Sequence, residues 1–221
     1  ADEQDKIFTP ADIVEEPAAA LAALSPRFKK IHLMGQSMGV AASYNTIFRM
    51  SQHPEILKKI GNVVGIAGYV GTDEKSEEPI WDGVKMPIDE LATYEMGYVE
   101  KVGANTVTSP KDYIESMRQV AKRNSSGKLP EHIGNVLVFS SGDPLIAGPD
   151  ELKADNALQY GPESKRKLII RDESNLEDPK QHSMLWIKPE NLIRAVEAKV
   201  STKGPHYIKV PKSSAGLVEK A

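Results

Sequence analysis

The feature that most restricts how this chain can fold is Gly35–Gly39, a five-residue segment in which a serine stands between two glycines. The apolar run Ile31–Met34 precedes it and predicts a buried strand, and the amphipathic segment Gly39–Met50 follows it and predicts a helix. Between a strand and a helix, the pattern Gly-x-Ser-x-Gly predicts a sharp turn that holds Ser37 in a strained backbone conformation with its hydroxyl exposed. We expect a side chain at either glycine to collide with neighbouring backbone.

The remainder of the chain alternates short apolar runs with helical patterns, which predicts an α/β fold with a mostly parallel sheet flanked by helices. The other predicted strands are Val63–Ala67, Asn135–Ser140 and Lys167–Arg171. One further predicted helix starts at Thr9-Pro10 and stops before Pro26. Three others span Glu55–Ile60, Pro149–Tyr160 and Pro189–Val200. The tail Ser201–Ala221 shows little periodicity apart from a brief apolar run at Tyr207–Val210.

The composition is that of a globular protein, with 40% hydrophobic and 27% charged residues in a chain of 221. The net charge of -3 gives no electrostatic reason to expect nucleic acid or an anionic membrane as a partner. No apolar run approaches the roughly 20 residues that a transmembrane helix needs. The absence of cysteine excludes disulfides, thiolate metal sites and cysteine nucleophiles. We see no cluster of metal ligands and no glycine-rich phosphate loop, so we predict no metal and no cofactor.

A serine nucleophile needs a base, and the base needs a group that orients it. After a strand–serine–helix turn, the expected chain order is serine, acid and histidine, with the acid after a strand and the histidine in a loop after the next strand. Asp143 follows the third predicted strand, and His182 lies in the polar loop after the fourth. These two residues are therefore the candidate acid and base for Ser37.

Other residues of the same types are placed less well. Among the remaining histidines, His32 lies inside a strand and His53 in a helix–helix turn. His132 precedes the third strand and His206 lies in the tail. Asp150 starts a predicted helix, where capping explains it. Asp172 follows the fourth strand too closely to be the usual acid.

Three segments together, Leu33–Gly39, Phe139–Pro144 and Gln181–Ser183, resemble the α/β-hydrolase superfamily. In that superfamily the turn that carries the serine is called the nucleophile elbow; here it is Gly35–Gly39, and the strand before it is the elbow strand. The likeness runs from about Pro10 to Val200 and covers the second half of that fold, from the helix before the elbow strand onward. It implies a serine hydrolase that cleaves a carboxylic ester or a related acyl bond through an acyl-enzyme.

The resemblance also implies roles for single residues. Ser37, Asp143 and His182 would form the catalytic triad, and the backbone amide of Met38 would be one donor of the oxyanion hole.

The resemblance further divides the chain into core, lid and tail. Residues 1–70 and 132–200 correspond to the hydrolase core, 71–131 to a cap or lid insertion, and 201–221 to a C-terminal tail. Tyr69 and Trp81 are candidate substrate-binding residues, with packing of the lid as the competing explanation for the aromatic residues of the insertion.

The chain departs from the family before the elbow. In this family three or more strands precede the elbow strand, and a loop after one of them supplies the second oxyanion donor. Here only 30 residues precede Ile31, and they predict one helix and a lead-in. Because a parallel sheet with an exposed apolar edge is unfavourable, we expect a companion polypeptide to carry the missing strands, either from the same precursor or separately encoded.

Three alternatives stay open at this stage. An acyltransferase uses the same triad but excludes water, and a ligand-binding homologue keeps the fold without catalysis. The third alternative is a chance elbow sequence in another doubly wound α/β domain.

Overall fold

A computed structural model describes part of the chain: residues 10–68, 70, 90, 93, 115, 119–120, 122–124, 127–140, 143, 145–146, 166–171 and 207–210. The predicted helices at 149–160 and 189–200 lie outside these residues. So do several residues named above: Tyr69, Trp81, Asp150, Asp172, His182 and His206.

The helices whose bounds the structure gives are α1 (Pro10–Leu24), α2 (Met38–Arg49) and α3 (Pro54–Leu57), with 3₁₀ turns at Ser25–Arg27 and Met50–Gln52. The predictions for α1 and α2 are confirmed within a residue or two. Pro10 and Pro54 each stand in a first helical turn, where a missing N–H costs nothing. The third helix is shorter than predicted, because Ile60 is instead the first residue of a strand and pairs with Ile31.

Five parallel strands form one sheet in the order in which they occur along the chain. They are β1 (Ile31–Gln36), β2 (Ile60–Ile66), β3 (Gly134–Ser140), β4 (Arg166–Arg171) and β5 (Tyr207–Val210). The first four confirm the predicted strands. The fifth lies in residues that the sequence assigned to a tail, and its pairing with β4 gives the four-residue run a regular structure.

The core lies between α2 and the middle of the sheet. Buried side chains of α2 meet alternate residues of β2 and β3, and this cluster includes Ala41, Tyr44, Ile47, Val63, Leu137 and Phe139. The intervening residues Val64 and Val138 are also buried, on the opposite face. The part of the sheet formed by β2 and β3 is therefore covered on both faces, as parallel sheets generally are. The Tyr44 hydroxyl donates to Asn135 Oδ1 at 2.7 Å and fixes α2 against β3.

The strand β1 contrasts with this interior. Among the described strands it is at the edge of the sheet, paired only with β2. Gly35 is its one buried residue, and the side chain of Met34 is 50% exposed. Two further large apolar residues are exposed just before it in sequence, Leu24 (46%) and Phe28 (52%). The described structure thus exposes apolar side chains on β1 and in the segment that leads into it.

Candidate active site

Ser37 forms the turn between β1 and α2 and has φ 53° and ψ −126°. Positive φ is uncommon for a residue with a side chain and is strained. Two backbone hydrogen bonds hold this conformation: the Ser37 N–H donates to Ile66 O at 2.9 Å, and the Val40 N–H donates to Ser37 O at 3.0 Å. The predicted strand–turn–helix geometry is therefore present, with Ser37 at its tip and partly exposed.

Gly35 makes the turn sterically feasible. A Cβ atom at this position would lie 2.0 Å from Gly39 O and 2.7 Å from Ser43 Oγ. The Ser43 hydroxyl in turn donates to Gly39 O at 2.8 Å, which holds that carbonyl against the glycine. Only a residue without a side chain fits here, as the sequence predicted.

The corresponding prediction for Gly39 was wrong. A Cβ atom at Gly39 would meet no heavy atom within 4 Å. The close approach is made by the carbonyl oxygen of this residue, whereas its Cα faces open space at the start of α2. The two glycines of the motif therefore have different steric roles.

Gly68, just beyond the end of β2, is part of the elbow and was missed in the sequence. A Cβ atom there would lie 2.4 Å from Ser37 O and 2.3 Å from a methyl carbon of Val40. The preceding residue, Ala67, also has positive φ, at 45°, and its N–H donates to Val138 O at 2.8 Å. The available signal was the Ala-Gly pair at the end of the strand that neighbours the elbow.

Asp143 follows β3 and is 3% exposed. Its Oδ1 accepts hydrogen bonds from the backbone N–H groups of Leu145 at 2.8 Å and Ile146 at 3.0 Å. Its own N–H donates to Ser140 O at 3.2 Å. These hydrogen bonds fix the orientation of the carboxylate.

The sheet order places Ser37 and Asp143 at the same end of the sheet, where the parallel strands have their carboxyl ends. In a parallel sheet the carboxyl ends of all strands meet at one side, and β1 and β3 are separated only by β2. At about 4.8 Å between neighbouring strands, their ends lie roughly 10 Å apart. His182 follows β4 in the chain and lies outside the described residues.

The described histidines lie at or near the other end of the strands. His32 is the second residue of β1, and its Nδ1 lies 2.8 Å from Asn62 Nδ2. His53 precedes α3 and is exposed, and His132 precedes β3 with its Nε2 3.1 Å from Leu57 O. Burial, and to a smaller extent the charge of Lys30, lower the pKa of His32 below its ordinary value. We therefore place none of these three histidines beside Ser37.

Within the described ranges, no group of three or more histidine and acidic side chains could hold a metal ion. No helix in the same ranges has the length and apolar character needed to cross a membrane. Three groups that could take part in chemistry lie at the carboxyl end of the described strands: the Ser37 hydroxyl, the buried carboxylate of Asp143 and the amino end of α2, which begins at Met38. The positive end of a helix dipole at that position favours developing negative charge.

The similarity of this chain to known proteins is found among solved structures. No protein-family profile matches the chain, and no curated protein matches it in sequence. Similar solved structures include a lipase-esterase related protein from Clostridium acetobutylicum, at 14% identity and a TM-score of 0.49, covering 86% of this chain and 75% of that one. A hydrolase from Pseudomonas aeruginosa has the same identity and TM-score, with 89% and 74% covered. Naproxen esterase from Bacillus subtilis matches at 14% identity and a TM-score of 0.46, with 88% and 67% covered.

The parallel sheet and the strained serine between β1 and α2 define an α/β protein with nucleophile-elbow geometry.

Proposed function

We propose that this chain is a serine hydrolase that cleaves a carboxylic ester or a related acyl bond. The observation that supports this most strongly is the backbone of Ser37, held at φ 53° between a strand and a helix. Strain of this kind persists only where surrounding structure imposes it, and it clusters at sites of function. An ordinary strand–helix connection would not require such a conformation.

In the proposed mechanism, Ser37 Oγ attacks the acyl carbonyl while His182 takes its proton. Asp143 holds the imidazole and stabilises its charged form. The oxyanion of the tetrahedral intermediate accepts a hydrogen bond from the Met38 amide at the amino end of α2. Collapse releases the alcohol with a proton from His182, and water activated by the same histidine then hydrolyses the acyl-enzyme.

The acyl group requires a pocket beside the serine. We propose that Tyr69, which follows β2 by three residues, and Trp81 in the insertion line it, and that residues 71–131 act as a lid over it. The support is positional for Tyr69: the carboxyl end of β2 adjoins the elbow through Gly68.

A serine-directed fluorophosphonate probe, with an ester of a short fatty acid as substrate, tests the proposal on the native protein. We expect Ser37→Ala to abolish labelling and to lower kcat by at least about 10³-fold. Ser25→Ala is the matched control, because Ser25 is buried at the end of α1 and bonds only locally through its hydroxyl, to Ala22 O at 3.2 Å. Equal labelling of the wild type and of Ser37→Ala would refute the role of this serine.

The acid has its own test. Asp143→Asn keeps the size of the side chain and an oxygen for Leu145 and Ile146, so the loop after β3 should fold normally. We expect kcat to fall on the order of 10⁴-fold, because the neutral amide no longer supports the imidazolium. An unchanged rate would remove Asp143 from the mechanism.

We also propose that a companion polypeptide completes the sheet by pairing with β1 and supplies the second oxyanion donor. The support is the exposure of the edge strand: Met34 of β1 is 50% exposed, whereas β2 and β3 are almost entirely buried. Native mass spectrometry should find a second polypeptide in equal amount, and Met34→Glu should release it. A chain that hydrolyses esters as an isolated monomer would contradict this proposal while leaving the serine mechanism intact.

A further inference from the structure

The Asn124 side chain joins three parts of the chain that are far apart in sequence. This residue lies near the end of the 71–131 insertion and is 0% exposed. Its Nδ2 donates to Val70 O at 2.6 Å and to Ala41 O at 3.1 Å, and its Oδ1 accepts from Asn45 Nδ2 at 2.9 Å. An amide supplies two N–H donors and an acceptor at once, which an ionised carboxylate of the same shape does not. Asn124 therefore fastens the end of the insertion both to α2 and to the residue that precedes the insertion.

The contact with Val70 lies close to the elbow. Gly68, two residues earlier, packs so tightly there that a Cβ on it would lie 2.4 Å from Ser37 O. Val70 is buried, and its carbonyl oxygen accepts the shorter of the two Asn124 hydrogen bonds. The two neighbours of Tyr69 in the chain are therefore both fixed, one against the serine turn and the other by Asn124.

The α2 side of this network has a cost. Ala41 and Asn45 lie about one helical turn apart on α2, and Ala41 follows Ser37 by about 6 Å along the helix axis. Because Asn45 Nδ2 donates to Asn124, the Asn45 Oδ1 is left buried, without a hydrogen-bond partner in the part of the chain that the structure describes. An unpaired buried acceptor is destabilising, and a pair of apolar side chains would avoid it. Stability therefore does not explain the amide pair, and what distinguishes it from an apolar pair is the carbonyl that Asn124 holds.

We propose that Asn124 is a positioning residue for the acyl-binding site. By holding Val70 O it keeps the segment that contains Tyr69 beside the elbow, and its bonds to α2 tie that segment to the helix that follows Ser37. This role rests on the hydrolase function proposed above, in which Tyr69 lines the acyl pocket. Because the hydrogen bonds of Asn124 end on Val70 and α2, its loss should weaken binding of the acyl group and leave attack by the serine nearly unchanged.

Steady-state kinetics of the native protein separate a positioning role from a structural one. Asn124→Ala removes both donors, and we expect KM for the ester of a short fatty acid to rise by about tenfold or more, since a misplaced binding wall lowers affinity. The value of kcat and the rate of fluorophosphonate labelling at Ser37 should stay within about threefold of the wild type.

Asn135→Ala is the matched control. Asn135 is also a buried asparagine, and it also contacts α2, through the Tyr44 hydroxyl at 2.7 Å. It lies near the amino end of β3, at the other end of the strands from Ser37, so KM should be unchanged. An equal rise in KM in Asn124→Ala and Asn135→Ala would overturn the proposal.

A double variant keeps the packing of the buried pair. Asn45→Leu combined with Asn124→Leu replaces two amides by apolar groups of the same branched shape and removes the unpaired acceptor, so the fold should be retained. This variant still lacks a donor for Val70 O, and its KM should rise as in Asn124→Ala. A wild-type KM in the double variant would overturn the proposal.

Hydrogen exchange tests the contact without turnover. The backbone amides of residues 67–70 should exchange at least about fivefold faster in Asn124→Ala than in the wild type, and at the wild-type rate in Asn135→Ala. Unchanged exchange in Asn124→Ala would overturn the proposal whatever the kinetics. Failure of the wild type to hydrolyse the ester or to be labelled at Ser37 would instead refute the hydrolase function, and the exchange rates would show separately whether Asn124 holds this segment.

Discussion

The two ends of the β1–β2 pair show how differently a glycine can be required. At the carboxyl end, a Cβ on Gly35 or Gly68 would meet backbone oxygen, at 2.0 Å from Gly39 O and 2.4 Å from Ser37 O respectively. At the amino end, a Cβ on Gly61 would lie 2.5 Å from Lys30 Cε, the far part of a flexible side chain. The contacts are similarly short, but a lysine can rotate away and the backbone of a turn cannot.

The difference indicates where the molecule is rigid. The carboxyl end carries the strained serine, and Gly35 and Gly68 pack directly against backbone oxygens of the turn that contains it. The amino end carries the exposed residues Lys30 and His32 and the buried Asn62, whose Nδ2 lies 2.8 Å from His32 Nδ1. Four substitutions or measurements test the contrast, beginning with the largest effect.

Gly35→Ala should be the most damaging change. The methyl group would overlap Gly39 O, and relief requires α2 to move away from β1, so we expect more than about 3 kcal/mol of lost stability and no fluorophosphonate labelling. Denaturant unfolding measures the first effect. Gly39→Ala is the internal control, with a change within about 1 kcal/mol, because its Cβ would have free space. Similar losses for the two variants would contradict the asymmetry.

Gly68→Ala should rank second. The methyl group would press on Ser37 O and on a Val40 side chain that can partly adjust, so we expect a loss of about 1–3 kcal/mol. The rate of labelling at Ser37 should fall by a larger factor than the loss of folded protein accounts for, because the added methyl group overlaps the serine itself. If labelling keeps its wild-type rate, Gly68 does not support the elbow.

Gly61→Ala should change stability by no more than about 0.5–1 kcal/mol, and in the stabilising direction if Lys30 moves freely, since glycine is unfavourable inside a strand. The same substitution combined with Lys30→Ala gives a double-mutant cycle. A large coupling energy between the two positions would show that the lysine is fixed after all.

The smallest effect concerns pH. The folded protein disfavours the charged form of His32, because burial and then Lys30 lower the pKa of this imidazole below 6.5. The unfolded chain therefore binds a proton more readily. The free energy of unfolding falls as pH drops below 6.5 and increases again as pH rises back to that value. Urea unfolding from pH 5 to 7.5 should show a shallower pH slope in His32→Gln. An identical slope in both proteins would remove His32 as the source.

The sequence was most informative where structure is decided locally. The turn at Ser37, the strand before it and the helix after it follow from periodicity and glycine spacing over about twenty residues, and the structure has them at those positions. Asp143 was placed correctly after β3, because that strand is a buried apolar run. Whether Asp143 meets His182 depends on residues outside the described ranges and stays a prediction.

Tertiary contacts decided what the sequence could not predict. The end of α3 was misplaced because the pairing of Ile60 with Ile31 is invisible in a local pattern. The same holds for β5, a four-residue strand defined by its neighbour, and for the free space beside Gly39. The hydrogen bonds of Asn124 to Ala41 and Val70 join segments more than 50 residues apart, so no spacing rule would have indicated them.

The hydrogen bond from Ser37 to Ile66 has a consequence for when the serine becomes reactive. It joins the turn to β2, so a chain in which the first two strands have not yet paired lacks one of the two bonds that keep residue 37 out of a relaxed conformation. In the proposed mechanism, reactivity at this serine is therefore acquired with the assembly of the sheet, and the local sequence alone does not confer it. During refolding, covalent capture by a fluorophosphonate would mark the moment at which the first two strands come together.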